Sequence, residues 1–374
     1  MTDVVICGAG PAGAMAAIIL ARAGVRVRLL DRARFPRDKL CGDTLNPGAL
    51  AVLARHGLLE VTRSGIPITG MVVTDAAGVR VEGAYGASIA GRSLPRSILD
   101  EALLRAAGAA GAAIDEGQLV RAPMREGSGV TGVIVAGRNG ADRPLAARLT
   151  IAADGASSRL ARALSLARHA TRPRRWAAGA YFDDVSGMSG FGEMHVRQHA
   201  YIGVAPLPAG LANACVVTAD RASAARPEAL LQHTLGRDPV LADRFARARR
   251  VTRVISLGPL AVESTRCGVP GLVLAGDSAG FIDPMTGDGL HFALRGAELA
   301  AAEVLEALAH GRTDAHVRLA VARRHEFARK WMFNRALRSL VGSPLAVRAA
   351  ALGAKWSPGW LHQTIRYAGD LRAA

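Results

Sequence analysis

The hydrophobic pattern alternates between two periods along the chain. Val4-Val5-Ile6-Cys7 is a continuous apolar run that stops at Gly8, the signature of a strand buried on both faces. Ala12–Ala23 follows as a helix of small residues, and Val25–Leu30 as a second strand closing on Asp31. Ala49–His56 sets Leu50, Leu53 and Ala54 on one helical face, after a loop-like stretch over 34–48. Residues 66–95 alternate, with Met71, Val73, Val79 and Val81 among glycines, and predict antiparallel strands. Pro95–Ala110 reads as a helix with Ile98, Leu99, Leu103 and Leu104 inward, Ser97 as its cap, and Asp100 and Glu101 favouring its first turn. Val130–Ala136 and Ala147–Ala153 read as strands that return to the first sheet.

The pattern changes over 170–262. Val196, Tyr201, Gly203, Ala205 and Val216–Thr218 fit a second, mostly antiparallel sheet, and Pro227–Leu235 and Asp238–Arg247 fit helices. An apolar strand after Gly271 and a long helix Leu290–Leu308 then resume the first architecture. The tail, 331–374, reads as helices broken near Ser343-Pro344 and Ser357-Pro358. It holds Trp331, Trp356 and Trp360, in a chain with only four tryptophans. A packed helical cap and a mobile lid or interfacial surface are both open for it.

Composition narrows the class. At 374 residues and 50% hydrophobic content the chain can bury a sizeable core. Its net charge of +16 comes almost wholly from arginine. The arginines are scattered and form no patch or stripe, so no nucleic-acid partner is expected. An acidic carrier protein or a peripheral membrane contact through the basic, Trp-bearing tail is the partner class left open. The four cysteines show no CxxC spacing, so neither a metal site nor a disulfide framework is expected. A first strand at residue 4 leaves no room for a signal peptide, and no apolar run is long enough to span a bilayer; a cytoplasmic location is the expectation.

Chemistry enters at Gly8-Ala9-Gly10-Pro11-Ala12-Gly13. Gly8 allows the tight turn off the strand, Gly10 lets backbone approach a pyrophosphate, and Gly13 lets the helix pack on the sheet. The pyrophosphate would sit on the helix N-terminus beside Ala12. Asp31, with Arg32 after it, is placed to bind a ribose diol. Two further segments have the same strand-into-glycine form. One is Leu149–Ala153 running into Asp154-Gly155; the other is Leu272–Ala275 running into Gly276-Asp277, followed by Asp283-Pro284-Met285-Thr286-Gly287-Asp288-Gly289.

These three motifs, in this order, with Arg37-Asp38-Lys39-Leu40-Cys41-Gly42-Asp43 between the first two, resemble the FAD-dependent enzymes of the p-hydroxybenzoate hydroxylase and geranylgeranyl reductase superfamily. The resemblance implies an α/β fold: a Rossmann-like FAD-binding domain of the glutathione-reductase type, an inserted and mostly antiparallel substrate domain, and a helical C-terminal cap. The FAD domain would be discontinuous, over 1–65, 96–169 and 263–330. The substrate domain would take 66–95 and 170–262, and the cap 331–374. The resemblance gives Asp277 a ribityl hydroxyl and puts Asp154 near the pyrophosphate. It puts Arg96 at the adenine or phosphate end and runs Cys41-Gly42 past the flavin ring, where covalent attachment through Cys41 stays open. Gly287, Gly289 and Leu290 would bring a helix N-terminus to the N1/C2=O edge, where reduction places negative charge. Asp288 and His291 are the candidate catalytic residues. His195 and His199, in the second sheet, are weaker ones.

The function expected is that of an FAD-dependent oxidoreductase. It would be an NAD(P)H-using monooxygenase that hydroxylates or epoxidises a small apolar or aromatic substrate through a flavin C4a-hydroperoxide. A flavin-dependent C=C reductase is the alternative, and a non-catalytic redox sensor the alternative of another class. The chain lacks a Trp-x-Trp-x-Ile-Pro segment, which argues against a halogenase, and lacks a Tyr/Trp-rich lipid-channel motif. With no second GxGxxG, NAD(P)H would dock transiently.

Overall fold

The computed structural model describes residues 2–76, 78–137, 141–170, 174–198, 200–282, 285, 287–341 and 358–371. Its first half is built on a six-stranded sheet in the order 268–269, 272–274, 149–152, 4–7, 27–31, 113–116, parallel except at the first pair. Strand periodicity explains the continuous apolar run at its centre. Val4 and Ile6 face the helices Pro11–Arg22, Pro47–Arg55, Arg96–Ala109 and Gly289–His310, while Val5 and Cys7 face a separate core on the opposite side. A strand covered on both sides has no polar face to show.

That opposite layer corrects one expectation. Gly129–Ala136 does not rejoin the first sheet. It lies between Val120–Glu126 and Asp142–Ala146 in a three-stranded antiparallel sheet that packs on the first. Only Leu149–Ala152 returns to the main sheet, and Ala113–Glu116, which sequence reasoning passed over, forms its edge.

The second half is an eight-stranded sheet that includes Trp176–Asp183, Phe191–Val196, Ala200–Pro206 and Ala212–Thr218, antiparallel except where Phe191–Val196 pairs with Gly70–Thr74. Alternation again divides its side chains. Ala180, Phe182, Ile202, Val204, Ala214 and Val216 pack beneath the helix Pro227–Arg237. Ala177, Tyr201, Cys215 and Val217 face Leu40, Phe281 and Met285 of the first half. Of residues 66–95 only part joins this sheet; Gly91–Ser93 instead lies between Ile66–Ile68 and Thr44–Leu45 in a small antiparallel sheet.

Three local expectations also change. Ser97 does not cap its helix: Pro95 is the N-cap, Asp43 Oδ1 accepts the Arg96 N–H at 3.1 Å, and Asp100 bonds Arg96. Asp238–Arg247 forms only the short helix Ala242–Phe245. Asp238 is held by Arg197 at 2.6 Å and accepts the N–H groups of Val240 and Leu241, which fixes a turn. Residue 331 lies inside the helix Ala315–Val341, and Pro358–Ala368 forms a last helix that begins on proline, as fixed φ favours. The break at Ser343-Pro344 and the whole of Trp356 lie outside the described residues, as does the side chain of Trp360.

Candidate functional site

The glycine turn after the first strand has the geometry its spacing predicts. A Cβ on Gly8 would sit 2.4 Å from Ala153 O, and one on Gly13 would sit 1.8 Å from Gly8 O, so neither position accepts a side chain. Gly10 differs: the nearest atom to its Cβ position is the tip of Arg37, at 3.5 Å. No side chain caps the helix Pro11–Arg22, which includes Ala12, and no acidic residue lies in its first turn. Free N–H groups, an open approach and a nearby guanidinium suit a pyrophosphate. Asp31 accepts the N–H groups of Ala9 and Ala33, each at 2.8 Å, and so holds the turn itself in shape. Arg32 is exposed.

Lys39 ties the three motifs together. Its ammonium lies beside Gly155 and senses Asp277, while Arg37 reaches the Gly10 turn. Burial, with repulsion from Arg96 and Arg37, lowers the Lys39 pKa, and Asp277 and Asp100 oppose that shift. Asp154 Oδ2 caps the Arg159 N–H at 2.9 Å, so the capping role weighed for it is real. Arg96 is not a free phosphate ligand. It is buried and paired through two bonds of 2.8 Å to Asp100, which also meets Arg37 at 3.2 Å.

At the ring end, Gly42 and Gly287 both flank the Thr44 hydroxyl; a Cβ on either would be 3.9 Å from it. Among the described residues, a Cβ on Gly289 would meet only the Phe281 ring, at 3.7 Å. The helix Gly289–His310 has no side-chain cap at its N-terminus. These are the open positions a flat ring needs beside a helix N-terminus. Gly276, at φ +65°, sits against Ala12 and links this loop to the pyrophosphate helix. Leu290 is a core residue, so only its backbone N–H is available. Burial raises the Cys41 thiol above its ordinary pKa, with Arg96 opposing; covalent attachment, which needs a thiolate, is disfavoured.

Asp288 and His291 are not where catalysis would want them. Asp288 is 1% exposed and is held by Asn334 at 3.0 Å, Asn46 at 3.3 Å and Lys330 at 3.4 Å. His291 Nδ1 lies 2.8 Å from Asp370 Oδ2, and Lys330 lies 3.0 Å from Asp370 Oδ1. Burial would raise the Asp370 carboxyl, but His291 and Lys330 more than offset it and leave it lowered. The pair therefore belongs to a buried polar clasp that docks the C-terminal segment on the FAD half. His195 is fully buried between Thr74 at 2.8 Å and Glu193 at 2.9 Å, and Glu193 pairs with Arg244. His199 lies outside the described residues.

Sequence reasoning missed a triad. Tyr181 and Asn213 are directly opposite each other on neighbouring strands, on the face toward the Cys41 loop. Asn213 Nδ2 donates to Cys41 O at 2.6 Å and to Asp43 Oδ2 at 2.8 Å, and Tyr181 donates to Asp43. A narrow cleft with a volume of about 20 Å³ opens beside them, between Asp38–Cys41 and the sheet. The available signal was Asn213, a polar residue inside the apolar run Leu211–Val217.

The family described as an FAD binding domain matches residues 1–334. The chain is 30% identical over 319 residues to menaquinone reductase of Mycolicibacterium smegmatis, covering 80% of this chain and 75% of that one. It is 28% identical over 328 residues to digeranylgeranylglycerophospholipid reductase 2 of Methanopyrus kandleri, covering 84% and 79%. A flavin-dependent brominase shares its fold, with a TM-score of 0.86 at 19% identity over 98% of this chain and 93% of that one. The glycine cradles, the uncapped helix ends and these matches agree: the chain belongs to the FAD binding domain family and is an FAD-dependent oxidoreductase of the p-hydroxybenzoate hydroxylase and geranylgeranyl reductase superfamily.

Proposed function

We propose that this oxidoreductase reduces a carbon–carbon double bond in a long apolar substrate, with NAD(P)H as the reductant. The observation that carries this reading is the cleft at the ring end. Leu40, Gly179, Ala180 and Ile255 give it apolar walls, backed by the cluster of Tyr201, Val217, Leu260 and Met285. Two relatives are named as reductases, of menaquinone and of digeranylgeranylglycerophospholipid, which supports reduction over the oxygen insertion expected from the sequence.

When bound, FAD supplies the hydride and stores the electron pair taken from NAD(P)H. The chain's own residues do the rest. The Gly8–Gly13 turn and Arg37 anchor the pyrophosphate. The N-terminus of Gly289–His310 favours the negative charge of the reduced ring. Gly179 lets Leu40 close against the sheet, since a Cβ there would sit 2.7 Å from Leu40 Cδ1.

Anaerobic incubation of the holoenzyme with NADH or NADPH, and with menaquinone or geranylgeraniol, tests the reading by mass spectrometry. A product that gains two hydrogens in its isoprenoid chain, without oxygen, supports it. A product that gains oxygen, and only in air, refutes it and restores the monooxygenase expectation. Flavin bleaching by neither nicotinamide would remove NAD(P)H as reductant.

A further inference from the structure

We propose that Tyr181 donates the proton that completes the reduction, with Asp43 behind it as the positioning residue that holds and replenishes that proton. The proposal rests on the reductase reading and adds the residues that reading leaves unnamed. A double bond takes a hydride at one carbon and a proton at the other, so the cleft must contain an acid. Tyr181 lines the cleft and its hydroxyl is bonded to Asp43.

Asp43 holds the start of the helix Arg96–Ala109 through the Arg96 N–H, and its carboxyl also reaches the cleft through Tyr181. It is 1% exposed. Its backbone is left-handed at φ +56°, a conformation that side chains adopt when their surroundings compel it, often at functional sites. Asn213 and the Arg96 N–H hold one oxygen each, at 2.8 and 3.1 Å. That leaves the Tyr181 hydroxyl as the partner with which a proton can be exchanged. The charged and titratable groups around the pair are Arg96 and Asp100 on the helix Arg96–Ala109, Cys41 and Asp38 on the loop, and Cys215 on the strand Ala212–Thr218. Burial pushes the Asp43 carboxyl up to about 7, against the pull of Tyr181 and Arg96. Burial also raises Tyr181, so its phenol stays protonated.

The two states of Asp43 turn Tyr181 in opposite directions. Ionised Asp43 accepts the phenol proton and turns it inward. Protonated Asp43 donates to the phenol oxygen and leaves the phenol proton free to face the cleft. The bond changes then balance. With FAD bound to supply a hydride at one alkene carbon, the π pair would take the Tyr181 proton at the other. The tyrosinate takes the proton of Asp43, and Asp43 regains one from water.

The test uses Tyr181→Phe and Asp43→Asn in the FAD-loaded enzyme, and infrared spectroscopy of the protein. Asn tolerates a left-handed backbone and keeps the side-chain shape, and Tyr181→Phe removes a single oxygen. Tyr181→Phe should lower kcat about 100-fold, as for loss of a general acid, with KM and FAD affinity unchanged. Wild-type kcat should fall as pH rises through about 7; Asp43→Asn should flatten that profile. A protonated-carboxyl band should vanish over the same range and be missing from Asp43→Asn. Wild-type kcat in Tyr181→Phe, or no such band, overturns the proposal. Oxygen insertion by the wild type sinks the reductase reading and, with it, the proton-donor role of Tyr181, whereas wild-type kcat in Tyr181→Phe with a reduced product sinks the donor role alone.

Discussion

The two ends of the cofactor site are built by opposite means. At the adenosine end every determinant lies within one strand–turn–helix–strand unit, Val4–Ala33, with Arg37 just beyond it. At the ring end the determinants come from residues 39–43, 181, 213, 276–289, 330 and 370, and meet only because two sheets and the C-terminal segment converge. The first end is a local motif in which Gly8 and Gly13 are imposed by backbone clashes. The second is an assembly with open positions at Gly42, Gly287 and Gly289. The same residue type therefore does different work at the two ends, and substitutions should separate the roles.

The largest effect should follow Gly13→Val. Its Cβ would fall 1.8 Å from the Gly8 carbonyl, backbone against backbone, and nothing there can yield. The expected loss exceeds about 4 kcal/mol, seen as absence of cooperative thermal unfolding with or without FAD. A soluble variant with a wild-type melt would show that the helix does not need this close packing. Lys330→Met comes next, at about 3–5 kcal/mol, because it leaves Asp288 and Asp370 buried without their shared cation. Urea unfolding measures it. A loss below about 1 kcal/mol would mean that the clasp is not formed in solution.

This contrast also explains what was legible. Gly8, Gly10 and Gly13 lie within a few residues of one another, so the tight turn and the close helix packing at Gly8 and Gly13 follow from their spacing. The strand Val4–Cys7 was legible because both of its faces are covered. Tyr181 and Asn213 meet only through the register of two strands thirty-odd residues apart, which no local pattern encodes. The misreading of Asp288 and His291 has the same origin. Their place beside Gly289 suggested chemistry, but Asn334, Lys330 and Asp370, remote in the chain, claim both side chains. The pairing of Arg96 with Asp100 was not read because Asp100 was taken for a helix-terminal charge.

Gly289→Val sharpens the comparison from the other end. Here, among the described residues, a Cβ meets nothing closer than 3.7 Å, so the fold should persist where Gly13→Val loses it. The added methyls would stand between the helix N-terminus and the ring, removing charge stabilisation worth about 2–4 kcal/mol by analogy with oxyanion-hole donors. Stopped-flow reduction should slow by two to three orders of magnitude, about what that energy implies, while the melt stays within a few degrees of wild type. Unchanged reduction would show that this helix does not serve the flavin.

The smallest expected effect is Asp31→Ala, at about 1–3 kcal/mol in FAD affinity. The carboxylate has two duties that must be told apart. Its oxygens hold the Ala9 and Ala33 N–H groups, which shapes the turn before any ligand arrives. The spacing from Gly13 also assigns it the ribose diol. Loss of the first duty should lower the melting temperature of the apoprotein; loss of the second should not. Asp31→Asn separates them, since its amide oxygen keeps one N–H bond while the negative charge is gone. If the ribose is bound, FAD affinity in Asp31→Asn should drop by more than the apoprotein loses in stability. Equal losses would make Asp31 a staple of the glycine turn and nothing more, and the adenosine end would then depend on the backbone alone.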